Sequence, residues 1–155
     1  MCIRDRLYRK DAEATLATTR ALGISYVAYA PLGRSLLTGS VRQASDIPEG
    51  DGRGRHPRFT AENLSRNLGL ASEVEKMARE KGATPGQVAL AWVLAQGHDL
   101  VPIPGTKQAD RVDENVGALE VKLSTADVAR LSAALPPGAA AGTRYAESLM
   151  KGVYL

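Results

Sequence analysis

At 155 residues, with 44% hydrophobic and 24% charged side chains, the chain has the composition of ordinary water-soluble globular proteins, which excludes the disordered, fibrous and disulfide-rich classes. That length suffices for one domain with its own core. The net charge of +3 is small and its basic residues are scattered except around Arg53, Arg55 and Arg58, so there is no extended stripe for nucleic acid, while a small anion would suit that cluster equally well.

Residues 11–22 are rich in Ala and Thr, with acids early and Arg20 late; Asp11 can cap the start of a short helix and Gly23 can stop it in the left-handed conformation. The run Ile24, Ser25, Tyr26, Val27, Ala28, Tyr29 is β-prone, almost continuously apolar and bounded by Gly23 and Pro31, which predicts a buried strand. Residues 39–57 are rich in Gly, Arg, Asp and Pro without periodicity, and a loop of that length in a compact domain is expected to be an excursion over a site. Helical spacing returns over 61–81, where Leu64, Leu68, Ala71, Val74, Met77 and Ala78 line one face up to Gly82. Thr84, Pro85 and Gln87 then form a capping box with proline at the first helical position, and the apolar surface continues to Gly97. Leu100 to Ile103 is a short second strand closed by Pro104 and Gly105. A further helix is expected from Ala109, and a last one from Ser124, where Ser124 and Asp127 make an N-terminal box before Val128, Leu131 and Leu135.

The lone cysteine, Cys2, can form no internal disulfide or zinc knuckle, and no apolar run reaches the length of a membrane span. Neither does the start of the chain have the apolar core of a signal peptide, so a cytoplasmic protein is expected, binding neither membrane nor nucleic acid.

Single strands alternating with helices are the pattern of parallel α/β architecture. Only two strands are present, whereas parallel strands need neighbours and an α/β barrel takes roughly 250 residues and eight strands. The expected fold is therefore α/β, an incomplete (β/α)8 barrel; a small doubly wound sheet is the runner-up.

The chemistry concentrates in Val101 to Lys107 and the helix after it. A strand ends, Gly105 lets the backbone approach a ligand, and Thr106 with the first N–H groups of the next helix can bind an anion favoured by the helix dipole. Lys107 adds a mobile positive charge. Arg111, Glu114 and Asn115 stand at i, i+3 and i+4 and share one helix face. A guanidinium and an ammonium together suit a phosphate monoester, and Glu114 and Asn115 can hydrogen-bond the edge of a base. Taken singly, each of these charges reads as a solvated surface group; the combination is harder to dismiss.

This combination closely resembles the aldo-keto reductase signature, in which the eighth barrel strand ends in Ile-Pro-Gly-(Ser/Thr)-Lys before an Arg-x-x-Glu-Asn helix. The matching positions are Ile103, Gly105, Thr106, Lys107, Arg111, Glu114 and Asn115, and the resemblance implies that they hold the adenosine 2′-phosphate and adenine of NADP(H). A second match is Tyr29, Ala30, Pro31, Leu32, Gly33, Arg34, followed by Leu36 to Gly39. In that family the seventh strand ends this way and the turn folds over the cofactor pyrophosphate. Ser35 replaces the usual glycine, which restricts the backbone there.

The resemblance covers residues 7–155 and implies that they are the C-terminal portion of the domain, carrying strands seven and eight. Residues 1–6 do not match the family's sixth strand and are expected to be a non-native lead. The family's catalytic Asp, Tyr, Lys and His belong to strands upstream of this match, so no catalytic residue is assigned, and no metal ligand. His98 precedes a strand at the end of the barrel opposite the active site, and His56 belongs to the excursion. Tyr26 and Tyr29 are expected to be packing residues; Tyr145, Leu149 and Met150 are candidates for a substrate-pocket wall, as the family's tail is. The resemblance implies a parent enzyme that reduces aldehydes or ketones with NADPH, this portion supplying cofactor contacts and no turnover of its own. The rival reading is a non-catalytic, cofactor-sensing regulatory subunit of the same fold, and the residues upstream of residue 7 would discriminate between the two.

Overall fold

The computed structural model describes residues 12–150, so the expected lead over 1–6 and the Asp11 cap lie outside the described residues. Helix α1 (Ala12–Ala21) ends where Gly23 takes φ 66. There the Gly23 N–H donates to the Arg20 carbonyl at 3.1 Å and the Ile24 N–H to the Thr19 carbonyl at 2.9 Å, a complete Schellman stop. That stop consumes the start of the predicted strand. Strand β1 is Tyr26–Tyr29, not 24–29, because Ile24 is already committed to closing the helix.

Short 3-10 turns punctuate the segment that follows β1, at Leu36–Thr38, Ala44–Asp46, Gly52–Arg55 and Pro57–Phe59. Helix α2 (Ala61–Lys81) stops at Gly82, again left-handed at φ 63. Helix α3 (Pro85–Leu94) starts on the Thr84–Gln87 box, with both reciprocal bonds formed. It stops short of the expected Gly97, because the Gln96 and Gly97 N–H groups reach back only three residues, to Val93 and Leu94, and the last turn tightens. Strand β2 (Leu100–Ile103) and helix α4 (Ala109–Val116) fall where the sequence places them. Helix α5 (Thr125–Ala134) follows the Ser124–Asp127 box, and a short helix α6 (Glu147–Met150), which the sequence did not announce, lies in the tail.

The two strands pair in parallel, Tyr26 with Leu100 through Tyr29 with Ile103. Tyr26, Ala28 and Leu100 face the helices and join a core with Leu64, Val74 and Met77 of α2, Val88 and Trp92 of α3, and Leu131 and Leu135 at α5. The other face is open: Val27, Val101 and Ile103 are 43%, 48% and 49% exposed. The run read as a buried strand is therefore buried on one face, at Tyr26 and Ala28, because the described helices cover only that side of the pair. Ion pairs fasten the periphery, with Arg20 on Asp99 at 2.8 Å and Arg130 on Glu80 at 2.8 Å. Among the described residues no helix is long and apolar enough to cross a membrane.

Candidate cofactor-binding site

Parallel α/β units present their ligand sites at the C-terminal ends of the strands, where loops and helix N-termini converge. After β1 the backbone turns through several left-handed positions, with Ala30 at φ 51, Gly33 at φ 59, Arg34 at φ 56 and Ser35 at φ 72. A residue with a Cβ held there costs on the order of 1–2 kcal/mol, so the surroundings must hold the turn in place. Ser35, which stands where the family pattern has glycine, takes the conformation glycine favours and opens the turn Leu36–Thr38. The buried side chains of Leu36 and Leu37 anchor it below. The Thr38 hydroxyl donates to the Ser35 carbonyl at 2.9 Å and lies 2.8 Å from the Ser40 hydroxyl.

After β2, the Thr106 hydroxyl accepts the Gln108 N–H at 3.1 Å and shapes the entry to α4. Gln108 itself makes no side-chain cap, so the first-turn N–H groups of α4 have no side-chain cap from it and the positive end of the helix dipole faces outward. Helix α4 is fixed against α3 because Gln87 Nε2 donates to the Glu114 carbonyl at 3.0 Å.

Between the two strand ends lies a cavity of about 290 Å³. Leu32, Ser35 and Thr38 wall it from the β1 side, Gly105 and Thr106 from the β2 side, and Arg111, Glu114 and Asn115 from one face of α4. Gly86 contributes at the start of α3, and the excursion brings Ser40 and Arg53. Two guanidinium groups therefore face the cavity, each paired with a carboxylate. Arg111 Nη1 lies 2.5 Å from Glu114 Oε2, an exposed i, i+3 pair. Burial pushes the Glu114 carboxyl up, but hydrogen bonds from the Thr84 hydroxyl and Arg111 outweigh it and leave the group below its ordinary value. Arg53 grips Asp51 through Nε and Nη2 at 2.7–3.1 Å, and with the Arg53 N–H it draws the Asp51 carboxyl down to about 2.

Of the residues proposed from the sequence, the cavity wall includes Leu32, Gly105, Thr106, Arg111, Glu114 and Asn115, and does not include Ala30, Pro31, Gly33, Arg34, Ile103 or Lys107. Lys107 is exposed beyond the wall, and Ile103 lies on the open sheet face. Arg34 turns away to stack over the Tyr145 ring at 5.3 Å. Tyr145 also meets His56, with centroids 5.7 Å apart, while Leu149 is exposed; neither lines this cavity. The wall also holds Ser35, Thr38, Ser40, Arg53, Gly86 and Gln108, which were not proposed. Arg53 had a signal, since it belongs to the one basic cluster and to the loop expected to cover a site. Gly86 had none beyond its place in a capping box. His98 is exposed and precedes β2, at the end of the strand away from the cavity. Among the described residues no group of three His, Cys, Asp or Glu side chains could hold a metal.

The aldo/keto reductase family profile matches residues 5–136. Among curated proteins, the chain is 48% identical over 126 residues to aldo-keto reductase yakc, NADP(+), of Schizosaccharomyces pombe, covering 81% of this chain and 37% of that one. It is 44% identical to probable aldo-keto reductase 1 of Glycine max, over 92% of this chain and 41% of the relative. The chain thus spans about two fifths of the length of these curated relatives. Solved structures agree: the thermostable aldo-keto reductase Tm1743 superposes with a TM-score of 0.59 at 25% identity, over 86% of this chain and 39% of that one. The glycerol dehydrogenase AKR11B4 from Gluconobacter oxydans gives a TM-score of 0.66 at 26% identity, over 77% and 37% of the two chains. The mixed helix and strand fold is accordingly part of the α/β barrel of these enzymes, and the chain belongs to the aldo/keto reductase family.

Proposed function

We propose that residues 7–155 are the C-terminal, nucleotide-holding portion of a reductase that converts aldehydes or ketones to alcohols with NADPH, β1 and β2 serving as barrel strands seven and eight. One observation carries this reading: Thr106, Arg111, Glu114 and Asn115 converge on a single cavity with the turn that leaves β1, at the C-terminal ends of two parallel strands. A cavity of about 290 Å³ is at the small end of ligand sites and suits one end of a dinucleotide rather than the whole. The name of the Schizosaccharomyces pombe relative carries NADP(+), which agrees with a site that presents two guanidinium groups and an uncapped helix N-terminus to a phosphate.

Arg111 and the first-turn N–H groups of α4 would hold the 2′-phosphate, with Lys107 adding charge from outside the wall. Glu114 and Asn115 would meet the adenine, and the turn from Ala30 to Arg34 the pyrophosphate. When bound, the cofactor supplies the hydride. The residues of this chain bind and orient it, and the group that protonates the carbonyl oxygen comes from the preceding part of the barrel.

The test is displacement. NADPH bound to the chain should be displaced by adenosine 2′,5′-bisphosphate at concentrations where 5′-AMP leaves it in place. Equal displacement by the two nucleotides would remove the 2′-phosphate from the site.

A further inference from the structure

The tail and the left-handed turn after β1 meet through two consecutive residues. The Arg144 guanidinium lies over the Tyr29 ring at 5.8 Å and donates a hydrogen bond to its hydroxyl. Tyr145 receives Arg34 over its ring at 5.3 Å and Arg144 at 5.6 Å, with His56 beside it. Tyr29 and Arg34 flank most of that turn, which carries Leu32 and continues into Ser35 and Thr38 on the cavity wall. The tail is itself anchored a few residues earlier. Asn67, fully buried in α2, donates to the Arg58 and Ala141 carbonyls at 3.0 Å each and accepts the Ala141 N–H at 2.8 Å. Gly142 follows at φ 82, and a Cβ there would meet the Pro57 carbonyl carbon at 2.7 Å and the Arg58 nitrogen at 2.9 Å. A glycine is therefore what lets the tail lie against the 57–58 backbone.

We propose that Tyr145 is a positioning residue: the tail is a strap, fixed at Asn67 and Gly142, that clamps the strained turn after β1 and so sets the shape of the cavity wall without touching the ligand. The part of this inference that concerns cofactor affinity rests on the function proposed above; the part that concerns the turn does not. A turn with three left-handed residues that are not glycine persists only if its surroundings over-determine it. Leu36 and Leu37 hold its far end from below, and the strap holds Arg34 and Tyr29 from above. Two guanidinium groups 5.3 and 5.6 Å from the Tyr145 centroid contribute by cation–π attraction, which acts on the aromatic face.

The experiment is amide hydrogen exchange on the intact chain and on Tyr145→Ala, Tyr145→Phe and Gly142→Ala, with NADPH titrations of each. Tyr145→Ala and Gly142→Ala are expected to speed exchange at Gly33, Leu36 and Leu37 by about tenfold, the size of one partly desolvated cation–π contact. Protection in the α2–α3 core around Val74, Met77 and Val88 should stay at the parent level, and Tyr145→Phe, which keeps the ring, should lose clearly less protection at 33–37 than Tyr145→Ala. NADPH affinity should fall by several-fold in Tyr145→Ala and Gly142→Ala and by less in Tyr145→Phe. Unchanged exchange at 33–37, loss of α2–α3 protection together with it, or a phenylalanine variant that behaves like alanine would each overturn the strap. If the parent chain does not bind NADPH, the proposed function fails, and the exchange pattern still decides on the strap.

Discussion

Arg111→Ala separates a phosphate-reading guanidinium from a solvated one. Arg111 is exposed and held by Glu114 at 2.5 Å, so a 2′-phosphate must share or displace that pair. A charge-assisted hydrogen bond is worth roughly 1.5–3 kcal/mol, and an exposed ion pair one helical turn apart about 0.5 kcal/mol, which leaves about 1–2.5 kcal/mol for the phosphate. At about 1.4 kcal/mol per decade, the variant should weaken NADPH binding by roughly five- to sixtyfold. NADH lacks the phosphate and should lose almost nothing. Titration of both cofactors against the parent and the variant by nicotinamide fluorescence gives the two dissociation constants. An unchanged ratio between them would show that Arg111 is an ordinary surface charge. Glu114→Gln sharpens the test: it frees Arg111 while keeping an amide for the base edge, so NADPH should bind a few-fold tighter and NADH equally well.

On the proposed function, which leaves the proton donor to the preceding part of the barrel, the chain alone should give no NADPH oxidation with a panel of aldehydes and quinones; a rate above buffer would contradict this. The Lys81 ammonium, at 2.5 Å, and the Ser124 N–H and hydroxyl hold the Asp127 carboxyl down at about 2. A depressed carboxylate adds stability that is present above its ordinary value of 3.8 and is lost as pH falls through about 2, so protection at the start of α5 should fade across that window. Asp127→Asn should flatten the profile. Leu131→Ala empties a side chain with no exposure between α5 and α2 and should cost about 3 kcal/mol in denaturant titration, in line with other buried leucines; a loss below about 1 kcal/mol would mean that α5 is not part of the cooperative core.

What the sequence discloses follows from how far apart the partners are. Helix starts were legible because their determinants lie within one turn: Thr84 with Gln87, and Ser124 with Asp127, form the boxes that their spacing predicts. The convergence of Arg111, Glu114 and Asn115 was legible for the same reason, since i, i+3 and i+4 place residues together in any α-helix. Burial of a strand face depends on neighbours that no local pattern names, and Val27 and Val101 are as apolar as core residues while facing outward. Lys107 illustrates the limit from the other side. Its place in the motif predicts a charge at a phosphate; Lys107 is exposed and not on the cavity wall, where the second cation is Arg53 from the excursion. The pairing of Arg34 with Tyr145 spans most of the chain and had no local signature at all. Motif spacing therefore identifies which residue types a site needs, whereas the turns between them decide which individual side chain arrives. Here a left-handed Ser35 and the turn closed by Thr106 stand at the two strand ends that the cavity joins.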